Sequence, residues 1–345
     1  MKKRIDLRRL GVVILAAGKA TRMESRQNKM LHLVAGRPML EYVLDSARRL
    51  QPSKVAVVIG HQGEKVRRAF SRWSKIHWVR QAEMRGTGDA VRSAAGVFRS
   101  FDGQILVLYG DIPGIREETL RRLIMVHGAS KNAVTLLTSE MDDPTGYGRI
   151  ILDADGSVAR IVEEKDATDE EREIYEVNTG IGIYDARFLF GSVKLLRPTN
   201  KQKEYYLTDL VDMAKKQGKG VGRFRIRDNF QVIGINDRES LAEVSHIFYE
   251  NKALDLLKSG VTLEDPASTI IEQEVEIGPD TVVGGQTRFR GHTRVGSSAE
   301  IGAGGELVEC DIDEGVRIGR NVRLLRVKIG TGSVIGSNTT VGTED

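Results

Sequence analysis

The chain has 345 residues, which is more than one typical domain, and 40% of them are hydrophobic and 29% charged. This composition argues against a disordered or membrane-embedded protein. The formal net charge of +4 is too slight to indicate a nucleic-acid-binding surface. The single cysteine, Cys310, excludes an intrachain disulfide and, with no Cys and His at zinc spacing, favours a reducing cytoplasm as the compartment.

The first apolar run has two interpretations. The segment MKKRIDLRR followed by LGVVILAA imitates the basic and apolar parts of a secretion signal, and it fits equally well a fully buried first strand of a parallel sheet. We predict the strand, because cleavage there would destroy the glycine loop that follows it.

Up to about residue 137, short apolar runs alternate with amphipathic stretches. The runs predict buried strands and the stretches between them predict helices, and this alternation is typical of right-handed βαβ units that build a parallel sheet covered on both faces. The predicted strands are Val12–Ala17, Val55–Ile59, Ile105–Tyr109 and Ala133–Leu137; the predicted helices are Pro38–Leu50, Glu64–Trp73, Gly88–Phe98 and Glu117–His127.

From about Arg149 the pattern changes to hairpin-like strands, at Arg149–Leu152, Val158–Glu163 and Val177–Tyr184. Such a group suggests an antiparallel lid or insertion, where substrate specificity often resides. A long helix is predicted from Arg238 to Ser259, and it would carry the chain out of the first domain.

The C-terminal segment has a different periodicity. Of the 37 glycines, 14 fall after Ile277, and twelve apolar residues recur there in eleven steps, nine of six residues and two of five. A six-residue repeat predicts a parallel β-helix, here of about four coils, in which each turn buries its apolar residue against the next. The alternative, a glycine-rich linker, does not explain so long a register. The apolar residues are Ile277, Val283, Phe289, Val295, Ile301, Leu307, Ile312, Ile318, Leu324, Ile329, Ile335 and Val341.

The first predicted strand runs into LAAGKATRM, Leu15 to Met23, and Lys29 follows. A glycine at a strand exit lets backbone N–H groups turn toward an anion, and Arg22 and Lys29 would add charge for a triphosphate. The segment is neither a dinucleotide fingerprint nor a Walker loop, since the further glycines of those motifs are absent. A tight turn with two surface cations remains the alternative at this point.

A second candidate follows the strand that ends in LYGDIP. Asp111 directly follows that strand, so its carboxylate is expected at the carboxyl end of the sheet, where ligands of open α/β sheets bind. It is the leading candidate for a metal ligand. The alternative is that Asp111 caps the helix that follows.

With Lys29 six residues beyond it, LAAGKATRM resembles the signature of the sugar-1-phosphate nucleotidyltransferases. Later segments narrow the resemblance to the uridyltransferase domain of the bifunctional N-acetylglucosamine-1-phosphate uridyltransferase/glucosamine-1-phosphate acetyltransferases, from about Gly11 to Gly260. The family fold is a Rossmann-like α/β domain joined by a long helix to a left-handed parallel β-helix. The segments are QAEMRGTGDA (81–90), LYGDIP (108–113), DDPTGYGRI (142–150), IVEEKDATDEE (161–171), EVNTGI (176–181) and EYYLTD (204–209).

The resemblance implies a division into a nucleotidyltransferase domain at residues 1–236, a connecting helix at 237–260 and a β-helix at 261–345. It implies UTP and N-acetylglucosamine-1-phosphate as substrates and Mg²⁺ as cofactor, with UDP-N-acetylglucosamine and pyrophosphate as products. The nucleotide-binding residues that it implies are Leu15, Ala16, Ala17, Gly18, Arg22, Lys29, Gln81, Gly86 and Thr87, of which Gln81, Gly86 and Thr87 would hold the uracil.

The sugar side is assigned in the same way. The resemblance pairs Asn236 with Asp111 as an oxygen ligand for Mg²⁺; the alternative is that Asn236 caps a helix. Arg22, Lys29 and Asp111 are the expected catalytic residues. Tyr205 and Tyr206 are equally well interpreted as wall of the sugar site or as core, and so is Tyr109. The residues expected at the sugar are Tyr109, Gly148, Glu163, Asn178, Thr179 and Asn236.

The sequence departs from the family pattern at three positions near the site. Ala20 stands where the loop usually has glycine, Asn28 replaces the proline before the lysine, and Asp89 occupies a position that is commonly histidine. A negative φ or a stiffer loop at Ala20 would affect triphosphate affinity more than reaction type. The chain also lacks the segments of an acetyl-transfer site, and its β-helix has a single histidine, His292, so we expect no acetyltransferase activity.

Two other functions stay open on the sequence alone. One is a glucose- or mannose-1-phosphate nucleotidyltransferase that uses TTP, UTP or GTP, and the other is a non-catalytic subunit that binds nucleotide sugars. We expect a cytoplasmic homotrimer assembled through the β-helix. No nucleic-acid or membrane partner is expected.

Overall fold

The structure is a computed structural model that describes residues 9–18 and 21–343. These residues form two compact units. The first comprises the described residues up to His32 together with Met39–Ser240, and the second comprises Leu33–Pro38 and the described residues from Leu241 onward. No helix within the described ranges is long and apolar enough to cross a membrane.

The first unit is built on a mixed sheet. Its path runs in the order β11-β7-β10-β6-β1-β4-β5, and β8 and β9 extend it from β10. Strands β2 and β3 form a separate hairpin that belongs to the second unit. The strands are β1 (Leu10–Ala16), β2 (Leu33–Val34), β3 (Arg37–Pro38), β4 (Lys54–Ile59), β5 (Ile76–Arg80), β6 (Gln104–Tyr109), β7 (Asn132–Glu140), β8 (Gly148–Leu152), β9 (Val158–Val162), β10 (Glu176–Asp185) and β11 (Gly220–Ile226).

Helices cover both faces of this sheet. Side chains of β1 alternate between two hydrophobic clusters: Val12 and Ile14 face one, and Val13 and Leu15 face the other. Helices α1, α2 and α4 contribute to the first cluster, and α3, α6 and α7 to the second. Burial on both faces explains why β1 is a continuous apolar run. The helices are α1 (Met39–Arg49), α2 (Gly63–Ala69), α3 (Thr87–Ser93), α4 (Glu117–Ala129), α5 (Asp169–Arg172), α6 (Ala186–Ser192), α7 (Asp209–Lys216) and α8 (Arg238–Lys258).

The second unit contains the predicted left-handed parallel β-helix. Its two- and three-residue strands form three parallel sheets, and each strand pairs with one 17 to 20 residues further along the chain. The first sheet has Thr262–Leu263, Val282–Val283, Glu300–Ile301, Arg317–Ile318 and Val334–Ile335; the second has Ile270–Ile271, Arg288–Arg290, Glu306–Val308, Arg323–Leu325 and Thr340–Gly342; the third has Glu276–Ile277, Arg294–Val295, Asp311–Ile312 and Lys328–Ile329.

The hexad register is confirmed by burial. Each repeat residue from Ile277 to Leu324 is at most 7% exposed, and the three that follow pack partly against the same core. The two five-residue steps, at Ile312 and Ile329, shorten a turn and keep the strands in register. The β-helix therefore buries one apolar residue at each hexad, as predicted.

The strand predictions of the first unit are confirmed with shifted ends, and one interpretation is wrong. The segment Val177–Tyr184 is no lid: as part of β10, it pairs antiparallel with both β6 and β7 inside the main sheet. Only β8 and β9 form the predicted hairpin beside it. The helix predicted at Glu64–Trp73 ends at Ala69, and that at Gly88–Phe98 becomes a 3₁₀ turn after Ser93.

Candidate active site

The candidate site lies at the carboxyl ends of β1 and β6. A cleft of about 570 Å³ opens there, where parallel strands of an α/β sheet present their loops to ligands. Eleven of the residues predicted from sequence line it: Leu15, Ala17, Gly18, Arg22, Lys29, Gln81, Gly86, Thr87, Tyr109, Asp111 and Asn236. Five others do not, namely Ala16, Gly148, Glu163, Asn178 and Thr179.

The loop after β1 leads into the cleft. Ala16 ends the strand, at 3% exposure, and Ala17 and Gly18 follow at the cleft wall. Arg22 belongs to a short 3₁₀ turn, Thr21–Met23. Ala20, where the sequence departs from the family glycine, lies outside the described residues, so the expectation about its φ stays untested.

Lys29 begins a second 3₁₀ turn that Asn28 caps. The Asn28 side chain accepts a hydrogen bond from the backbone N–H of Met30 at 3.0 Å and donates one to the carbonyl of His61 at 2.9 Å. Asparagine is a favoured residue at such a cap. These bonds fix the position of the turn, so Asn28 has a structural role here in place of the family's proline.

The Lys29 ammonium lies between two oxygen atoms. Nζ is 2.6 Å from Oδ2 of Asp111 and 3.0 Å from Oδ1 of Asn236, and the Lys29 side chain is 7% exposed. The Asn236 amide is oriented by its own donor, since Nδ2 donates to the carbonyl of Gly234 at 3.3 Å. Two hard oxygen donors therefore converge on a single cationic position.

This arrangement fits the divalent ion that the resemblance implies. Carboxylate and amide oxygens are the ligands that Mg²⁺ prefers, and it commonly uses only one or two protein ligands beside water and phosphate. Asp111 and Asn236 already converge on one cation, the Lys29 ammonium. No cluster of three or more His, Cys, Asp or Glu side chains suited to a metal occurs in residues 9–18 and 21–343.

The end of the cleft predicted to hold the base is a tight loop before α3, residues 81–86, which we call the base loop. Gly86 has φ of +107°, and a Cβ there would lie 2.7 Å from the carbonyl oxygen of Tyr205, so only glycine fits. The backbone N–H of Gly88 donates to that same oxygen at 2.8 Å, and the N–H of Tyr205 donates to the carbonyl of Arg85 at 2.8 Å. The base loop is thus tied to the EYYLTD segment.

Thr87 continues this connection toward the sugar side. Its Oγ1 accepts a hydrogen bond from the backbone N–H of Leu207 at 3.0 Å. Burial raises the pKa of Tyr109, so its phenol stays protonated. Of the three tyrosines left open between wall and core, Tyr109 lines the cleft. Tyr206 is buried and Tyr205 packs beneath the guanidinium of Arg92, so neither of these two side chains lines the cleft.

The predicted sugar residues form a second group beside Tyr109. Gly148 and Asn178 are neighbours in the β8–β10 ladder, and the Cβ position of Gly148 lies 3.3 Å from Oε2 of Glu163. Asn178 is 9% exposed, and its buried Oδ1 has no hydrogen-bond partner. A buried acceptor without a donor is costly unless a ligand completes it.

The position of Asn178 depends on a register shift in β10. The pairing of β10 with β7 shifts between Asn178 and Gly182, and such bulges re-aim side chains near active sites. Thr179 lies in this bulge, where its hydroxyl donates to the carbonyl of Leu137 at 2.8 Å. Thr179 therefore supports the backbone and does not reach the cleft.

Glu163 is the acid of this group. Burial raises its pKa, and a hydrogen bond from the Thr208 hydroxyl at 2.8 Å opposes that rise. Thr208 comes just before α7 but makes no side-chain cap, because its hydroxyl is bound to Glu163. Thr208 lies in the EYYLTD segment, but its contact with Glu163 was not predicted, because a hydroxyl directly before a helix predicts a cap.

For two further residues the sequence predicted no role at the site. Asp89 is 5% exposed and accepts a hydrogen bond from Nε2 of Gln81 at 2.9 Å. Arg149 is 2% exposed and forms an ion pair at 2.8 Å with Glu164, next to Glu163. The sequence did not indicate that these two side chains are buried, since both are charged residues in polar segments.

Comparisons with known proteins agree with this geometry. Residues 12–174 match the family described as "MobA-like NTP transferase domain". The chain is 42% identical over 307 residues to the "Bifunctional protein GlmU" of Lactobacillus delbrueckii, 42% over 330 residues to that of Streptococcus equi, and 45% over 295 residues to that of Geobacter sulfurreducens.

These alignments cover 89%, 96% and 86% of this chain. They cover 66%, 70% and 62% of the three relatives, so the chain spans about two thirds of their length.

Proposed function

This chain belongs to the GlmU family, and on that premise we propose that it transfers UMP from UTP to N-acetylglucosamine-1-phosphate. The products are UDP-N-acetylglucosamine and pyrophosphate. One observation carries the proposal: Lys29, Asp111 and Asn236 converge where the β1 loop and the base loop meet in one cleft. The ammonium of Lys29 and the oxygen atoms of Asp111 and Asn236 lie where they could align two phosphorylated reactants and neutralise their charge.

In the reaction, a phosphate oxygen of the sugar phosphate attacks the α-phosphorus of UTP in line. A new P–O bond forms there, the bond to the β-phosphate oxygen breaks, and pyrophosphate leaves with that electron pair. The attacking phosphate is already an anion, so the chain need not supply a general base. Its residues act by alignment and charge neutralisation.

The roles follow the geometry of the cleft. Asp111 and Asn236 would hold Mg²⁺, which supplies positive charge at the reacting phosphates. Arg22 and Lys29 counter the charge on the leaving pyrophosphate. Gln81 and the backbone of Gly86 orient the uracil, and Gly18 leaves open space at the loop, since a Cβ there would meet no atom of the described residues within 4 Å.

Selection of the sugar depends on the group around Glu163. The unpartnered Oδ1 of Asn178 suits the N–H of an acetamido group, and the carboxylate of Glu163 can accept hydrogen bonds from sugar hydroxyls. The 2-hydroxyl of glucose- or mannose-1-phosphate can also donate to that oxygen. The preference for the acetamido sugar is therefore proposed on the family resemblance of the GYGRI, EEKDAT and EYYLTD segments.

A pyrophosphate-release assay tests the proposal. Purified protein with Mg²⁺ is given UTP, TTP or GTP together with N-acetylglucosamine-, glucose- or mannose-1-phosphate. We expect release fastest with UTP and the acetamido sugar. No release with any pair would contradict the enzyme, and a faster reaction with glucose- or mannose-1-phosphate would contradict the proposed substrate.

For the β-helix we propose assembly, not acetyl transfer. Its single histidine, His292, is exposed, and a lone exposed histidine is a poor general base. Thiol release from acetyl-coenzyme A with glucosamine-1-phosphate would overturn this. Assembly into a homotrimer predicts a particle of three times 38.2 kDa in light scattering; a stable monomer at micromolar concentration would contradict it.

On the family resemblance we also propose that the nucleotidyltransferase domain ends at residue 236 and that the connecting helix ends at residue 260. The cytoplasm is the proposed compartment, because UTP is made there and the only cysteine, Cys310, is buried and free.

A further inference from the structure

Asp89 is a buried carboxylate directly behind the base loop. It lies in α3 and is 5% exposed. Its Oδ1 forms ion pairs with Arg92 and, at 3.6 Å, with Arg85. Its Oδ2 accepts the hydrogen bond from Nε2 of Gln81 at 2.9 Å. The two oxygens of Asp89 thus have separate partners, arginine on one side and glutamine on the other.

The second partner of the Gln81 amide is also an acceptor. Nε2 lies 3.3 Å from the carbonyl oxygen of Gly86, so both amide protons have oxygen acceptors. Rotating the amide by 180° would put Oε1 against a carboxylate and a carbonyl, neither of which has a proton to donate. The rotated amide would lose both hydrogen bonds and gain two repulsive contacts, so a single orientation of Gln81 is stable.

That orientation leaves Oε1 for the ligand. Gln81 is 4% exposed and lines the cleft, and none of the hydrogen bonds among the described residues reaches its Oε1. The side chain consequently presents an acceptor and no donor to the base. Among the edge groups of a uracil nucleotide, N3–H is the only donor, whereas N3 of a cytosine nucleotide is an acceptor.

We propose that Asp89 is a positioning residue for base selection: by fixing the Gln81 amide, it makes the cleft accept a base with N–H at position 3 and reject cytosine. The inference rests on the proposed uridyltransferase function and deepens it. Asp89 stands where histidine is common in the resembling family, so the device belongs to this chain's own sequence.

The Asp89→Asn variant tests the inference sharply. Arg85 and Arg92 require an acceptor, so the new amide oxygen should face them and its NH₂ should face Gln81. Gln81 would then turn Oε1 toward that NH₂, replacing the 2.9 Å bond and giving up only the longer 3.3 Å contact with the Gly86 carbonyl, and would present its own NH₂ to the cleft. We expect the ratio of CTP to UTP dissociation constants, measured by calorimetry with Mg²⁺, to fall by about tenfold or more.

Two matched variants separate positioning from charge loss. Arg92→Gln weakens the ion pair but keeps the carboxylate, and Asp89→Glu keeps an acceptor-only group; both should retain the wild-type preference for UTP. If Asp89→Asn folds and its ratio equals that of the wild type, the inference is wrong. If the wild-type protein binds CTP as tightly as UTP, the inference is also wrong, because the cleft then does not reject cytosine. The proposed function fails separately, if UTP and the sugar phosphates release no pyrophosphate.

A ligand change tests the same contact in the unmodified protein, should Asp89→Asn fail to fold. N3-methyl-UTP lacks the N3–H donor, and 5-methyl-UTP carries the same methyl group on carbon. We expect N3-methyl-UTP to bind about tenfold or more weaker than 5-methyl-UTP. Equal binding of the two analogues would overturn the inference.

Discussion

Nζ of Lys29 lies 2.6 Å from Oδ2 of Asp111, although the two residues are 82 positions apart in the chain. The lysine comes from the turn after β1 and the aspartate from the end of β6, which are neighbouring parallel strands. Their adjacency follows from the topology, because the carboxyl ends of both strands meet at one edge. Asn236 joins them through the backbone N–H of Ile235, which donates to the carbonyl of Asp111 at 2.9 Å.

Replacing Lys29 or Asp111 should show that these two residues have different roles. Asp111→Asn removes a charged oxygen, so we expect a higher Mg²⁺ requirement and turnover lower by about 100-fold or more. Lys29→Met removes a cation, so turnover should fall while the Mg²⁺ requirement does not rise. Turnover is measured against Mg²⁺ concentration, with Asp102→Asn, 54% exposed, as the control. An unchanged Mg²⁺ requirement in Asp111→Asn would contradict its assignment as a ligand.

The hydrogen bond from Thr208 to Glu163 should affect the sugar and not the nucleotide. Thr208→Val removes the hydroxyl that stabilises the carboxylate, so the KM for N-acetylglucosamine-1-phosphate should rise several-fold while the KM for UTP stays the same. The pKa of Glu163, already raised by burial, should rise further and move the acid limb of the pH profile to higher pH.

Thr208→Ser keeps the hydroxyl and is the matched control; it should restore both the KM and the pH profile. If Thr208→Val and Thr208→Ser have identical pH profiles, the hydroxyl does not act through Glu163.

The parts of the fold that depend on local sequence patterns could be predicted from the sequence. The run that became β1 is apolar throughout because both faces are buried, and the hexads of the β-helix bury one residue per turn; both are visible in a single window of sequence. Asp111 was predicted because it directly follows a strand, and Lys29 because it follows the glycine loop after the first strand as a cation suited to a triphosphate. Asn236 was predicted only through the resemblance, since nothing in GINDRE indicates what it contacts.

The errors have a common physical cause, which is pairing between distant segments. Residues 177–184 could not be assigned to the main sheet, because their partners in β6 and β7 are 38 to 79 residues away. Strand β11 contains two glycines and two arginines and occupies an edge of the sheet, so it lacks the apolar signal of a central strand. The roles of Asp89 and Thr208 likewise depend on partners that only the tertiary structure brings near.

The close approach at Gly86 should make alanine costly there. A Cβ would lie 2.7 Å from the oxygen and 2.9 Å from the nitrogen of Tyr205, and φ is +107°. We expect Gly86→Ala to weaken UTP binding by tenfold or more and to destabilise the fold by about 1–3 kcal/mol. Gly156→Ala is the control, since its φ is +79° and no atom lies within 4 Å of its Cβ position. Equal effects of the two changes would show that backbone strain alone, and not the contact with Tyr205, limits residue 86.

Asp209 should make the stability of the first unit depend on pH. Burial, followed by the charges of Asp212, Glu163 and Asp166, raises its pKa to about 6 from a usual value of 3.8. A raised folded-state pKa means that the native state binds the proton more tightly than the unfolded chain, so this stabilisation is complete below pH 3.8 and is lost as pH rises through about 6. At pH 8 the ionised group opposes folding, by about 1 kcal/mol once solvent screening of this half-buried side chain is included. Asp209→Asn should therefore raise the midpoint of thermal unfolding at pH 8 and have little effect at pH 5. Asp311→Asn, an exposed change in the β-helix, controls for the loss of one charge, and an equal gain at both pH values in Asp209→Asn would contradict the assignment.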